Sequence, residues 1–177
     1  LLSAQHPLSF QHDEMLFIII HQASELWMKL CLHELNAARE HIRRDELGPV
    51  FKMLERVSRI QQQLVQSWDV LASMTPADYS AFRNYLGKSS GFQSCQYRLL
   101  EFTIGNKRAE MIEVFRKEPD SFAALQRALA SPSLYDESLR LLSRRGFEIP
   151  AAYLDRDWTQ QYVPSKQVAA SWLAVYH

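Results

Sequence analysis

The stretch FIIIHQASELW, Phe17 to Trp27, sets a single imidazole, His21, among side chains that otherwise suit a protein interior. An apolar setting holds histidine neutral, and a neutral imidazole accepts one hydrogen bond while donating another. Such a group could read a small N–H on a ligand, or it could be a packed core histidine with its bond satisfied. Phe17 lies one turn before it, and Ser24, Glu25 and Met28 follow on overlapping faces. Tyr79 and Arg83 form a second constellation: four residues apart, they share a helical face that Leu86 continues. A guanidinium fork beside a phenol suits a carboxylate, each sheltered charge-assisted bond being worth about 1.5–3 kcal/mol. The plainer alternative pairs Arg83 with a surface acid and leaves Tyr79 to pack. Gly87-Lys88-Ser89-Ser90-Gly91 reads as a loop whose glycines and hydroxyls let a ligand or cofactor approach the backbone. It lacks the order of a phosphate loop and lies between helices, not after a strand.

Other chemistries find less support. The six histidines, His6, His12, His21, His33, His41 and His177, form no pair four apart on one helix. No Glu-x-x-His of the di-iron type occurs either, so a zinc or di-iron site is not expected. Cys31 and Cys95 lie in apolar helical stretches, where a reduced thiol is the default, and this usage fits the cytoplasm. Lys plus Arg equals Asp plus Glu at 20 each, so charge gives no reason to expect nucleic acid or an anionic membrane surface. Consecutive apolar residues nowhere approach the roughly 20 that span a bilayer. Arg43-Arg44 and Arg144-Arg145 are basic doublets suited to helix C-termini.

The elements that must position these groups are helices. Apolar spacings of three and four recur throughout, period-two alternation is absent, and the 47% hydrophobic composition suits a globular chain. The pattern predicts a long first helix from about His12 to Arg44, apolar nearly all round in its first half and therefore buried by several neighbours. A second helix opens at Gly48-Pro49 and runs to Leu71. Thr75-Pro76-Ala77-Asp78 is a start signal for a third, carrying Tyr79 to Leu86. A fourth runs from about Phe92 to Ile104. Shorter helices are expected over Ala109–Phe115, Ser121–Leu129 and Ser133–Leu142, and a last one from Ser165. The expected architecture is all-α: one domain over 1–177, with long core helices at about 10–106 and 165–177. An outer subregion of shorter helices, with surface chemistry on most faces, occupies about 107–164. The opening Leu-Leu-Ser and a final helical pattern still running at Trp172 to His177 suggest a fragment of a longer chain.

Two long motifs go further. Phe17-Ile-Ile-Ile-His21-Gln-Ala-Ser-Glu25-Leu-Trp27-Met-Lys29 resembles the distal-helix motif of the tryptophan 2,3-dioxygenases. Phe82-Arg83-Asn-Tyr-Leu86-Gly-Lys-Ser-Ser90-Gly91-Phe92-Gln93-Ser94-Cys-Gln96-Tyr-Arg98-Leu-Leu-Glu101 resembles that family's second motif. Gln5-His6-Pro7-Leu8 and the order of the helices match as well, and the bacterial form is the closer likeness. The resemblance implies a cytoplasmic homotetramer dependent on haem b, inserting both atoms of O2 across the indole C2–C3 bond of L-tryptophan to give N-formyl-L-kynurenine. It implies that His21 is the distal group bonding the indole N–H, with Phe17 on the ring. Tyr79 and Arg83 would take the carboxylate and Leu86 would wall the pocket. Trp68 would lie near the haem, with Ser90 and Gly91 where haem and substrate meet. The proximal haem histidine is expected beyond residue 177, and the family's N-terminal tyrosine segment is absent. A related indoleamine haem dioxygenase and a non-catalytic helical interaction module are the alternatives.

Overall fold

The computed structural model describes residues 2–87 and 93–175, and every regular element among them is helical. Helix α1 spans His12–Arg43 and α2 spans Leu47–Leu71. The short link between them turns at Asp45, whose φ of 63° is the left-handed conformation that an Asp tolerates better than most residues. The two helices form an antiparallel hairpin. Near the turn Ala38, Ile42 and Val50 are buried together, and farther along Met28, Cys31 and Leu35 meet Val57 and Ile60. The α1 positions recur at steps of three and four, so one stripe faces α2 throughout.

Helix α3, Pro76–Arg83, begins where the sequence signal lies. The Thr75 hydroxyl accepts from the Asp78 backbone, and the Asp78 carboxylate accepts from Thr75 in a reciprocal capping box. A 3-10 turn over Asn84–Leu86 follows, ending at Gly87 with φ 59°. Helix α4, Cys95–Ile104, is capped by Ser94, three residues later than the predicted start. The predicted helix at Ala109–Phe115 is a 3-10 helix. Helices α5 (Pro119–Leu129), α6 (Leu134–Arg144), α7 (Ala151–Leu154) and α8 (Lys166–Ala174) complete the order. The sequence reading does not anticipate α7, and α8 ends at Ala174 although the apolar pattern continues.

One expectation needs correction. The first half of α1 is not enclosed: Met15, Ile19, Leu26 and Trp27 are exposed, because α3 and α4 cover only part of its circumference. By length and composition α1 is also apolar enough to cross a membrane, with 11% of its most apolar 18-residue window buried. Counting consecutive apolar residues misses this, since polar residues interrupt the run without removing its average character. Apolar cores also form around the 107–164 region. Phe102, Ile112, Phe115, Leu125 and Leu129 form one core, and Leu139, Leu142, Ile149 and Val168 another.

A buried polar joint ties that region to α1. The Lys107 ammonium donates to the carbonyls of Ala128, Leu129 and Ser131 at 2.7, 2.8 and 2.6 Å, satisfying the open C-terminus of α5. Burial pushes this lysine down to about 8. Ser133 and Asp136 form a second capping box, and Arg156 holds the outer oxygen of Asp136 with two nitrogens at 3.1 and 3.0 Å. Arg39 of α1 donates to Pro132 O at 3.1 Å, and Arg144 of α6 donates to Ile42 O at 2.7 Å. The second basic doublet therefore does more than complement its own helix: it docks α6 on the end of α1. Gly105 sits at the same joint with φ 120°, and a Cβ there would come within 3.2 Å of Ser133 Oγ.

Candidate functional site

Helices α1 and α3 meet through aromatic rings. Phe17 lies 4.0 Å from the His21 ring, 5.8 Å from Tyr79 and 5.6 Å from Phe82, centroid to centroid. Tyr79 and Phe82 meet edge to face at 5.6 Å. The capping box fixes where α3 starts, and the three-residue step from Tyr79 to Phe82 then turns both rings toward α1. Phe82 is fully buried and is the residue that sequence reasoning misses. Its signal was present in the spacing, but its partner Phe17 lies on a distant part of the chain.

His21 is half-buried, and its Nδ1 lies 2.8 Å from the carbonyl oxygen of Phe17. A carbonyl only accepts, so Nδ1 carries the proton. In the neutral ring Nε2 is then left as an acceptor. The backbone of the preceding turn thus selects the tautomer that can receive an N–H from outside.

Arg83, half-buried on the same helix as Tyr79, donates from Nη1 to the Gly87 carbonyl at 2.7 Å. This bond bends the guanidinium back over the 3-10 turn, and among the described residues it is the one hydrogen bond that the guanidinium makes. Leu86 is half-buried within that turn. The structure therefore brings together Phe17, His21 and Tyr79, with Arg83 one turn along. Trp68, in the last turn of α2, is 61% exposed, and among the described residues no ring contact joins it to this group. Ser90 and Gly91 lie outside the described residues. Gly87-Lys88-Ser89-Ser90-Gly91 also spells Gly-x-Ser-x-Gly, but no strand occurs among the described residues to make it a nucleophile elbow.

Two further contacts bear on α1. The N-terminal segment is strapped along it: Gln22 donates to Ala4 O at 3.0 Å, and Glu14 accepts from the backbones of Leu8 and Ser9 at 2.8 and 2.7 Å. The Ser9 hydroxyl and these amides hold the Glu14 carboxyl below the usual carboxylate range. Across α1, Gln96 donates to both the carbonyl and the carboxylate of Glu25. Among the described residues no group of three or more His, Cys, Asp or Glu gathers as a metal site. Cys31 and Cys95 are free, and burial pushes both thiols up.

Fold and geometry define an all-α protein with an imidazole on α1, packed on the ring that meets α3, and a guanidinium on α3. The chain belongs to the tryptophan 2,3-dioxygenase family, whose model matches residues 1–132. It is 61% identical to the tryptophan 2,3-dioxygenase of a Polaromonas species over 176 residues, covering 99% of this chain and 60% of that protein. The enzymes of the same name from Polaromonas naphthalenivorans and Cupriavidus necator are each 59% identical over 99% of this chain, which covers 62% and 60% of them. The chain thus spans about 60% of the length of these relatives.

Proposed function

We propose that the protein inserts both atoms of O2 across the indole C2–C3 bond of L-tryptophan, giving N-formyl-L-kynurenine, with haem b as cofactor. Beyond family membership, the observation that carries the reading is the Nδ1–Phe17 bond, which leaves His21 Nε2 as an acceptor beside aromatic rings. An indole ring packed on Phe17 would present its N–H to that nitrogen. Arg83 and Tyr79 would take the substrate carboxylate, and Leu86 would close the apolar wall. These residues orient the ring and exclude water; no proton need leave the imidazole for the chemistry to proceed.

When bound, haem b supplies the activation of O2. Of the residues present, His21 with its accepting Nε2, beside the Phe17 ring, would stand on the distal side of such a group. By the family likeness Trp68, Ser90 and Gly91 are the nearest to it. The histidine that would hold the haem iron is expected in the part of the family's length that this chain does not span. The reading carries with it a homotetramer in the cytoplasm, without a membrane or nucleic-acid partner. Arg83 favours the free amino acid over a decarboxylated indoleamine, since only the former offers it a carboxylate.

The test is turnover by the full-length protein reconstituted with haem. Supplied with isotope-labelled dioxygen, it should convert L-tryptophan to a product carrying both labelled atoms and should leave tryptamine nearly untouched. Equal turnover of tryptamine would favour the indoleamine alternative, and no oxygenated product would remove the assignment.

A further inference from the structure

Phe17, His21 and Glu25 are spaced four apart and form one stripe on α1. Each end of that stripe holds a different helix. At Phe17 the rings of Tyr79 and Phe82 seat α3. At Glu25 the Gln96 side-chain amide, on the second residue of α4, donates to the backbone carbonyl at 2.9 Å and to the carboxylate at 2.6 Å. Two helical turns, about 12 Å, separate the two attachments along the axis, and His21 lies midway. Leu100, one turn farther along α4, is buried in the α1–α2 core, so α4 cannot pivot freely about the Gln96 contact.

We infer that Gln96 is a positioning residue for the reaction: its grip on Glu25 fixes how far α4 stands from α3 across His21. The width of that gap then sets how an indole is seated against the imidazole. A carbonyl already engaged in the helix gains a second donor here, and a carboxylate that would otherwise seek a cation is held by a neutral amide. That pairing is specific in reach, because shortening either partner or replacing the amide by a carboxylate breaks it. The inference rests on the proposed reaction.

The experiment uses the full-length holoenzyme and separates the two claims. Wild type without turnover of L-tryptophan would sink the proposed function; the inference is judged on variants of an active wild type. Gln96→Glu sets two carboxylates face to face and should raise KM for L-tryptophan about tenfold, with a smaller loss in kcat. Adding Glu25→Gln to it removes the repulsion and restores one amide–carboxylate bond, but not the bond to the residue-25 carbonyl, which only a donor at 96 can make, so KM should fall part of the way back, to about threefold below that of Gln96→Glu alone. If Gln96→Glu does not take up haem, Gln96→Met, which keeps the volume and drops both bonds, carries the same tenfold expectation. A lowered melting temperature with wild-type KM and kcat would show the contact to be purely structural and overturn the inference. So would a double variant no better than Gln96→Glu alone.

Discussion

His21 Nδ1 stands 2.8 Å from the carbonyl oxygen of Phe17, the residue whose own ring packs against the imidazole at 4.0 Å. One residue thus sets both the tautomer and the tilt of the histidine. The consequence is directional: Nε2 accepts, and a ligand that cannot donate should be poorly read.

In the full-length holoenzyme, His21→Ala should therefore cost roughly tenfold in kcat/KM for L-tryptophan, the size of one neutral hydrogen bond. It should cost far less for 1-methyl-L-tryptophan, which has no N–H to give. Steady-state kinetics on the two substrates check this, with circular dichroism to confirm that the helices persist. Equal losses on both would assign His21 to packing.

Among the described residues Arg83 engages one nitrogen, on the Gly87 carbonyl. Arg83→Ala should raise KM for L-tryptophan roughly tenfold or more, and Arg83→Lys should recover little, because an ammonium does not reproduce the planar fork. An unchanged KM in the alanine variant would mean that the carboxylate lies elsewhere.

Phe82 touches both Phe17 and Tyr79 and has no exposed surface. Phe82→Ala should destabilise the fold by about 3–5 kcal/mol through the cavity it leaves. Phe82→Leu, costing less, should still raise KM by unseating the rings. Urea unfolding and kinetics on the same variants separate the two effects.

Lys107 gives a pH-dependent outcome. Below about pH 8 its ammonium is protonated in both folded and unfolded chains and contributes no slope. Between about 8 and the ordinary lysine value near 10.4, the unfolded chain keeps a proton that the folded one has lost, so this residue's contribution to stability rises with pH. The slope should not exceed about 1.4 kcal/mol per pH unit. Urea midpoints of wild type minus those of Lys107→Met, measured at neutral and alkaline pH, isolate it. A difference that stays flat would show that the three carbonyls hold the ammonium at its ordinary value.

How much of this was legible in the sequence depended on the range of the interaction. Thr75, Pro76 and Asp78 marked the start of α3 to the residue, because a capping box is built from neighbours. The length of α1 followed from its period. Tyr79 and Arg83 could be placed on one face for the same reason. The Phe82–Phe17 and Gln96–Glu25 contacts could not be read, since nothing local says which distant side chain completes them. Apolar composition likewise does not say what covers it, which is why the pattern predicts Ile19, Leu26 and Trp27 to be interior while the structure exposes them. Lys107 was hidden most completely: its acceptors are main-chain carbonyls at the end of α5, and side-chain spacing carries no trace of them.

Whether His21 faces an indole beside a haem can be read from the visible spectrum of the reduced full-length protein. After reconstitution, wild type should show a haem Soret band that shifts on adding L-tryptophan, and His21→Ala should keep the band while weakening the tryptophan-dependent shift. A full-length protein that takes up no haem, or a shift unchanged by the loss of His21, would contradict the account.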